Sequence, residues 1–332
     1  MPEDAPITRV PLGGTTLEIG RMILGCASIG GLYSPVDEDT VGEALAAAWD
    51  AGVRTFDTAP HYGVGLSEER LGAFLAGKER SEFVVSTKVG RLLVPTEDDV
   101  EGVEGFFGTP RRTRVRDYSR DGVRRSLEAS CERLGLDRVD IALIHDPDDH
   151  WQAAVSEAYP ALDALRREGT VTAIGAGMNQ SAMLERFVAE TDIDCVLAAG
   201  CYSLVETSAA ERLFPACRDA GVAVLAAGVY ESGILANPRP GAPYRYAAAA
   251  PDLVVRVQRI AAVCARYEVA LPTAALHYVL AHPDVTAVAI GARSAENVRQ
   301  NVAWLGDVVP QELFEELASE GLVAPLLGAA PS

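Results

Sequence analysis

The chain contains the run Thr55-Phe56-Asp57-Thr58-Ala59-Pro60-His61-Tyr62-Gly63, in which a short apolar segment ends at Asp57 and a phenol follows five residues later. Two other apolar runs also end in ionisable residues, one at Lys88 and one at His145. Apolar runs between polar turns are typical of strands buried on both faces, as in parallel sheets. Because the carboxyl ends of parallel strands share one edge, we expect these groups to meet at the active-site rim of an α/β fold.

These four ionisable groups have complementary chemistry. A free tyrosine titrates near ~10, and an adjacent ammonium lowers the pKa of a phenol by stabilising the phenolate. We therefore expect Lys88 to lower the pKa of Tyr62, Asp57 to keep Lys88 protonated, and His145 to donate a hydrogen bond to a reacting oxygen. Each residue alone also fits a structural role, as a turn cap, a buried ion pair, a packed aromatic or a strand-end histidine.

Strand-like and helix-like segments alternate along the chain. Residues 7–12 and 16–19 predict a hairpin across Gly13-Gly14 that closes the floor of a barrel. No Pro/Ser-rich linker divides the sequence, so the prediction is a single α/β domain over 1–332, a (β/α)8 TIM barrel with long loops at its catalytic face. The predicted barrel strands are 22–26, 53–57, 83–88, 139–145, 171–175, 195–199, 222–227 and 287–291.

Two long connections interrupt this alternation, at 91–116 and at 237–250. Both follow predicted strand ends, and long loops are usually functional or mobile. Each is interpreted either as a lid over a pocket or as a tolerated surface insertion.

The motifs that carry a family resemblance are Phe56-Asp57-Thr58-Ala59-Pro60-His61-Tyr62-Gly63 with Ser67-Glu68, then Ser86-Thr87-Lys88, then Leu143-Ile144-His145. In order and spacing the chain resembles the aldo-keto reductase superfamily, from about residue 21 to residue 304. Within it, the sequence is most similar to the bacterial branch of D-threo-aldose 1-dehydrogenases (L-fucose dehydrogenases), with L-galactose and pyridoxal 4-dehydrogenases as relatives. The resemblance implies an NAD(P)-dependent oxidoreductase with a catalytic tetrad of Asp57, Tyr62, Lys88 and His145.

The resemblance also implies a nicotinamide cofactor, NAD or NADP. Asn179 is expected to bind the carboxamide, while the residue that stacks on the ring is either Val229 or Tyr230. The far end of the dinucleotide is expected at the strand-to-helix turn that holds Gly291, Arg293, Ser294 and Asn297. Because Arg293 is the one basic residue of that turn, we predict NAD, although one arginine can still bind a phosphate.

The expected reaction is oxidation of an aldose of the L-fucose, D-arabinose or L-galactose type at C1 to the lactone. The alternatives are an NADPH-dependent carbonyl reductase, a pyridoxal 4-dehydrogenase and a cofactor-binding regulatory subunit. Four residues are predicted to shape the substrate pocket: Tyr33, Asp146, Asp148 and Trp151.

A rival interpretation makes His145 and the acidic residues after it metal ligands. Metal sites in barrels usually collect ligands from several strands, whereas here they crowd into one loop stiffened by Pro147. We therefore predict no metal.

The composition limits the partners. A net charge of −18 argues against nucleic acid and anionic membrane surfaces, which need basic patches. No apolar run approaches ~20 residues and the N-terminus is acidic, so we expect a cytoplasmic protein that acts on a small-molecule substrate. Its oligomeric state stays open. The six cysteines form no Cys-x-x-Cys pair, which favours buried, reduced thiols.

Overall fold

The computed structural model describes residues 7–245 and 247–326. In this part of the chain, eight parallel strands close into a barrel. The predicted (β/α)8 barrel is thereby confirmed. The single domain over 1–332 stays a prediction, and its ends and Tyr246 lie outside the described residues. The strands are β1 (Arg9–Pro11), β2 (Glu18–Gly20), β3 (Met22–Gly25), β4 (Thr55–Asp57), β5 (Val84–Val89), β6 (Arg91–Pro95), β7 (Arg112–Arg116), β8 (Ile141–His145), β9 (Ala173–Met178), β10 (Cys195–Ala199), β11 (Ala223–Ala227), β12 (Pro243–Tyr244), β13 (Ala247–Ala248) and β14 (Val285–Gly291). Around the barrel the strands follow the order β10-β11-β14-β3-β4-β5-β8-β9.

The helices lie outside the barrel. Successive residues of a strand therefore pack alternately into the barrel interior and against the helices. In β3, Ile23 belongs to the interior cluster of the barrel, whereas Met22 and Leu24 pack into the larger core that includes Leu45 of the first helix. No helix among the described residues is long and apolar enough to cross a membrane. The helices are α1 (Glu38–Asp50), α2 (Leu66–Leu75), α3 (Arg120–Leu134), α4 (Trp151–Ala153), α5 (Tyr159–Arg167), α6 (Ser181–Glu190), α7 (Ser208–Glu211), α8 (Leu213–Ala220), α9 (Pro251–Arg266), α10 (Leu271–Leu280), α11 (Ala295–Gly306) and α12 (Gln311–Ser319).

The predicted hairpin is present as the antiparallel pair β1 and β2. Leu12 and Ile19 are fully buried and pack with barrel residues such as Ile141 and Cys195. At the turn, Gly13 has φ of +54°, and a Cβ there would lie 2.8 Å from the carbonyl oxygen of Gly221. The hairpin therefore closes the barrel at the end opposite the carboxyl ends of the strands.

The two long connections have structure of their own. The segment 91–116 is an antiparallel ribbon of β6 and β7, and a bridge between Leu32 and Phe106 ties its tip to the β3–α1 loop. The segment 237–250 contains the short ribbon of β12 and β13. All six cysteines are free, and every one except Cys131 is buried.

Candidate active site

Lys88 is the centre of a buried hydrogen-bonded cluster at the carboxyl ends of β4 and β5. Its side chain is 1% exposed, and its ammonium donates to Asp57 Oδ2 at 2.7 Å, to the carbonyl of Thr58 at 3.0 Å and to the Tyr62 hydroxyl at 3.0 Å. An ammonium has three donors, so each of them has a partner. Because Asp57 pairs with Ser86 in the barrel register, the Ser86 hydroxyl reaches Asp57 Oδ1 at 3.0 Å.

A close approach of two backbone segments positions Tyr62. A Cβ on Gly30 would lie 2.9 Å from the backbone carbon of Tyr62, and one on Gly63 would overlap the carbonyl oxygen of Gly30. Gly63 also has φ of +61°, which favours glycine. Glycine at position 63, next to Tyr62, is therefore favoured for both a steric and a conformational reason.

Burial changes the proton affinities of this cluster. It raises the pKa of Tyr62 to about 12, against the lowering effect of Lys88. Lys88 thus has the expected lowering effect on the pKa of Tyr62, but in the free chain burial outweighs it. For Lys88 itself, burial alone would lower the pKa, but the attraction of Asp57 and Tyr62 is larger and raises it.

His145 completes the group at the end of β8. Its ring centroid lies 5.9 Å from that of Tyr62, and its Nδ1 is buried with no hydrogen-bond partner among the described residues. Burial, reinforced by the positive charges of Arg91 and Lys88, holds the pKa of His145 well below its usual range. The structure thus brings together all four predicted residues and leaves the imidazole neutral.

A small cavity of ≈ 150 Å³ opens beside the cluster. The β6–β7 ribbon contributes one wall, where Phe106 stacks on Tyr62 with 6.2 Å between ring centroids. Neither Phe106 nor Glu104 was predicted as a site residue, and the one sequence signal for them was the long connection after Lys88. The polar and aromatic residues of the lining are His61, Tyr62, Lys88, Glu104, Phe106, His145, Asp146 and Asn179.

A larger groove of ≈ 600 Å³ shares Tyr62 and Asn179 with the small cavity. Its volume is in the range of cofactor sites. Glycines keep it open: a Cβ on Gly228 would lie 3.0 Å from the nitrogen of Gly200, and one on Gly291 would lie 3.2 Å from the Ser28 hydroxyl. These features fit an elongated dinucleotide whose reactive end reaches Tyr62.

Comparison with known proteins agrees with this geometry. A model of the aldo/keto reductase family matches residues 21–319. The chain belongs to the aldo/keto reductase family. It is therefore an oxidoreductase, and membership implies a nicotinamide cofactor.

Two similar relatives confirm the predicted branch. The chain is 41% identical to a D-threo-aldose 1-dehydrogenase of a Pseudomonas species, over 92% of this chain and 95% of that protein. It is 37% identical to the pyridoxal 4-dehydrogenase of Microbacterium luteolum, over 94% of this chain and 97% of that protein. Among solved structures, an aldo-keto reductase from Bacillus halodurans in its holo form has a TM-score of 0.76 at 24% identity, covering 97% of this chain and 99% of that chain, which shows the common fold.

The predicted cofactor residues of this aldo/keto reductase fall into two groups. Asn179 and Gly291 line the groove, as do both candidates for ring stacking, Val229 and Tyr230. Arg293, Ser294 and Asn297 are not among the residues that line it.

The turn before α11 uses those three residues locally. Ser294 caps α11 by accepting a hydrogen bond from the Asn297 nitrogen at 3.2 Å. Arg293 donates to the hydroxyl and carbonyl of Ser34 and to the carbonyl of Pro35.

Sequence reasoning missed two charged residues of the groove, Glu231 and Arg245. Glu231 is buried, has φ of +47° and accepts a hydrogen bond from Ser203 at 2.7 Å. Burial raises the pKa of its carboxyl group. Arg245, from the 237–250 segment, donates to the carbonyl of Gly200 at 2.8 Å. Glu231 adopts a left-handed backbone conformation although it is not a glycine, and no sequence pattern predicts such a conformation.

The predicted substrate residues also separate. Tyr33 lines the groove and Asp146 lines the small cavity. Asp148 accepts a hydrogen bond from Gln180 and lines neither. Trp151 starts α4 and packs its indole on Phe187 at 4.8 Å between centroids, outside both linings.

The residues of the rival metal interpretation do not converge. Across 7–245 and 247–326, no group of three or more His, Cys, Asp or Glu side chains is arranged to hold a metal ion. His145 and Asp146 remain close, with Nε2 and Oδ2 3.4 Å apart.

Proposed function

We propose that this chain oxidises an aldose at C1 to the lactone, with NAD⁺ as the preferred acceptor. The observation that carries the proposal is the 3.0 Å hydrogen bond from Lys88 to the hydroxyl of Tyr62, a residue that lines both the small cavity and the groove. A proton-transfer group thus stands where a substrate in the cavity would meet the reactive end of a cofactor in the groove. The 41% identity to a D-threo-aldose 1-dehydrogenase supports the same class of substrate.

In this mechanism the chain supplies position and proton transfer. Tyr62 takes the proton of the anomeric hydroxyl, and Lys88 stabilises the phenolate form that accepts it. Asp57 holds Lys88 in place, and neutral His145 donates a hydrogen bond to the substrate oxygen. A bound nicotinamide supplies the acceptor for the hydrogen at C1. Asn179, at the junction of groove and cavity, would hold the carboxamide.

The preference for NAD⁺ is supported by the contacts of the one basic residue in the 291–297 turn. Arg293 is already engaged with Ser34 and Pro35.

Pyridoxal is a second candidate substrate. Phe106 and Tyr62 give the small cavity an aromatic wall that suits a planar ring, and the 37% identity to a pyridoxal 4-dehydrogenase supports this candidate.

The deciding experiment follows the absorbance of reduced nicotinamide with NAD⁺ and NADP⁺ in parallel, against L-fucose, D-arabinose, L-galactose and pyridoxal. Reduction of NAD⁺ with a sugar is the expected result. Reduction with pyridoxal alone would replace the aldose by the second candidate. Oxidation of NADPH with simple aldehydes, with no sugar turnover, would assign a carbonyl reductase. An enzyme inactive under every pairing that still binds the cofactor would assign a regulatory role.

A further inference from the structure

We infer that Glu104, at the tip of the β6–β7 ribbon, is a specificity-determining residue that accepts a hydrogen bond from a ring hydroxyl of the sugar, with Asp146 as the second acceptor. The inference rests on the proposed aldose oxidation. It names the feature of the small cavity that selects a polyol over a planar aldehyde.

Glu104 is held by one of its two carboxylate oxygens. Its Oε2 lies 3.0 Å from Arg114 Nε and 3.2 Å from His61 Nδ1. Arg114 and His61 are 9% and 15% exposed, whereas the Glu104 side chain is 45% exposed, so its carboxylate lies on a buried anchor and stays accessible to a ligand. Oε1 has no hydrogen-bond partner among the residues that the structure describes, and Glu104 lines the small cavity.

Asp146, which also lines the small cavity, has a similar arrangement. Its Oδ2 accepts a hydrogen bond from Arg91 at 2.7 Å and lies 3.4 Å from His145 Nε2. Its Oδ1 likewise has no partner within the described ranges. Two carboxylates thus each bind an arginine through one oxygen and leave the other for a ligand. A carboxylate accepts but does not donate hydrogen bonds, so a group bound there must be a donor, as each hydroxyl of a sugar is.

The remaining lining points to the same ligand. His145 is 6% exposed, lines the cavity and leaves its Nδ1 without a partner in the described chain. Phe106 also lines the cavity and adds an aromatic wall beside Tyr62, against which the C–H groups of a sugar ring can pack. A simple aldehyde would occupy the cavity without supplying hydroxyls to both carboxylates, whereas a sugar ring carries several hydroxyls that can donate to them.

The ribbon tip is fixed so that Glu104 cannot easily withdraw. Glu104 has φ of +54°, which is costly for a non-glycine residue and persists only where neighbouring structure imposes it. Two backbone hydrogen bonds impose it here, from Tyr33 to Gly105 at 2.8 Å and from Phe107 to Gly31 at 3.0 Å. The carboxylate is therefore presented by a rigid turn.

The test pairs Glu104→Gln with a set of sugars. kcat and KM are measured for L-fucose, for its monodeoxy analogues that each lack one ring hydroxyl, and for pyridoxal, with NAD⁺. The matched control is Glu97→Gln, an exposed residue of the same ribbon connection. Thermal unfolding and cofactor binding by fluorescence show that both variants remain folded and bind the dinucleotide.

We expect Glu104→Gln to lower kcat/KM for L-fucose about 10- to 100-fold, mainly through KM, as loss of a charge-assisted hydrogen bond predicts. For one deoxy analogue the loss should shrink to within about 2-fold, because that analogue lacks the hydroxyl that Glu104 binds. Glu97→Gln should behave as the parent enzyme.

An equal loss for every substrate, or no loss at all, in an enzyme that does oxidise sugars would overturn the role of Glu104 and leave the proposed function standing. If the unmodified enzyme oxidises no sugar, the proposed function fails, and this inference falls with it.

Discussion

Lys88 Nζ lies 2.7 Å from Asp57 Oδ2, and the two side chains are only 1% and 5% exposed. A buried pair of this kind carries a large desolvation cost, so its energetic importance shows when one partner is removed. The pair also keeps the ammonium in place below the Tyr62 hydroxyl. The contribution of the pair to folding stability and its contribution to the position of Tyr62 can therefore be measured with separate substitutions.

Lys88→Met should lower the free energy of unfolding by about 3–5 kcal/mol, because Asp57 is left as an unpaired buried charge. Adding Asp57→Asn should restore part of that loss, since the amide carries no charge. Urea unfolding of the two single variants and the double variant measures the coupling. Equal costs of Lys88→Met with and without Asp57→Asn would show that the pair does not control stability.

Tyr62→Phe should lower kcat by about 10²- to 10⁴-fold, the range for loss of a general acid or base. The ring that stacks on Phe106 is retained, so cofactor affinity should stay nearly unchanged. Steady-state rates and fluorescence titration of the cofactor measure the two effects. Tyr267→Phe, on the outer helical layer, is the control for the same chemical change. Surviving turnover would remove Tyr62 from the proton-transfer step.

Gly63→Ala should lower kcat at least about 10-fold, because the new methyl group meets the carbonyl of Gly30 and displaces the adjacent Tyr62. Gly135→Ala is the matched control. Gly135 has φ of +63°, close to the +61° of Gly63, but a Cβ there has no atom within 4 Å among the described residues. Both variants should lose some stability from the left-handed conformation, and only Gly63→Ala should lose activity. A similar loss of activity in both would mean that general strain, and not the position of Tyr62, is responsible.

The barrel and the convergence of four side chains could be predicted because both depend on short-range patterns. Asp57, Lys88 and His145 each lie at or next to the end of an apolar run, and parallel strands bring such ends to one rim. The boundaries were less accurate: β9 extends to Met178, three residues beyond the predicted end.

The pocket walls could not be predicted, because they depend on contacts between distant segments. Glu104 and Phe106 reach the cavity because the ribbon tip pairs with the β3–α1 loop at Leu32, and no local period encodes that pairing. Trp151 shows the converse. It follows the β8 strand closely in sequence, but α4 begins there and turns the indole onto Phe187.

His61→Gln should reduce the loss of stability in mild acid. Burial, together with the nearby arginines, lowers the pKa of His61 to about 2, while an unfolded histidine titrates near ~6.5. Below that value the unfolded chain binds a proton that the folded chain does not, so the free energy of unfolding falls as the pH decreases. At about pH 5.5, a histidine that stays unprotonated in the folded chain lowers the free energy of unfolding by about 1.4 kcal/mol.

The measurement is urea unfolding of the unmodified protein and of His61→Gln at about pH 7.5 and 5.5. Lost contacts of the ring, such as its 5.2 Å edge contact with Phe106, affect both conditions and cancel in the difference. His150→Gln removes an exposed histidine and leaves the buried ones in place. If the acid loss is the same in His61→Gln as in the parent, His61 is not the group that takes up the proton on unfolding.

Arg293→Ala should show whether Arg293 binds the 2′-phosphate of NADP⁺ or only anchors residues 34–35. If the guanidinium can leave Ser34 and Pro35 to meet a 2′-phosphate, its removal should raise KM for NADP⁺ about 10-fold and barely change KM for NAD⁺. If it serves only to anchor the 34–35 segment, both cofactors should be affected alike, because that segment follows Tyr33 in the wall of the groove. Arg299→Ala, an exposed residue of α11, controls for the loss of one positive charge. Since Arg293 is the one basic residue of 291–297, a selective effect on NADP⁺ would also mean that binding of the 2′-phosphate depends on this single side chain.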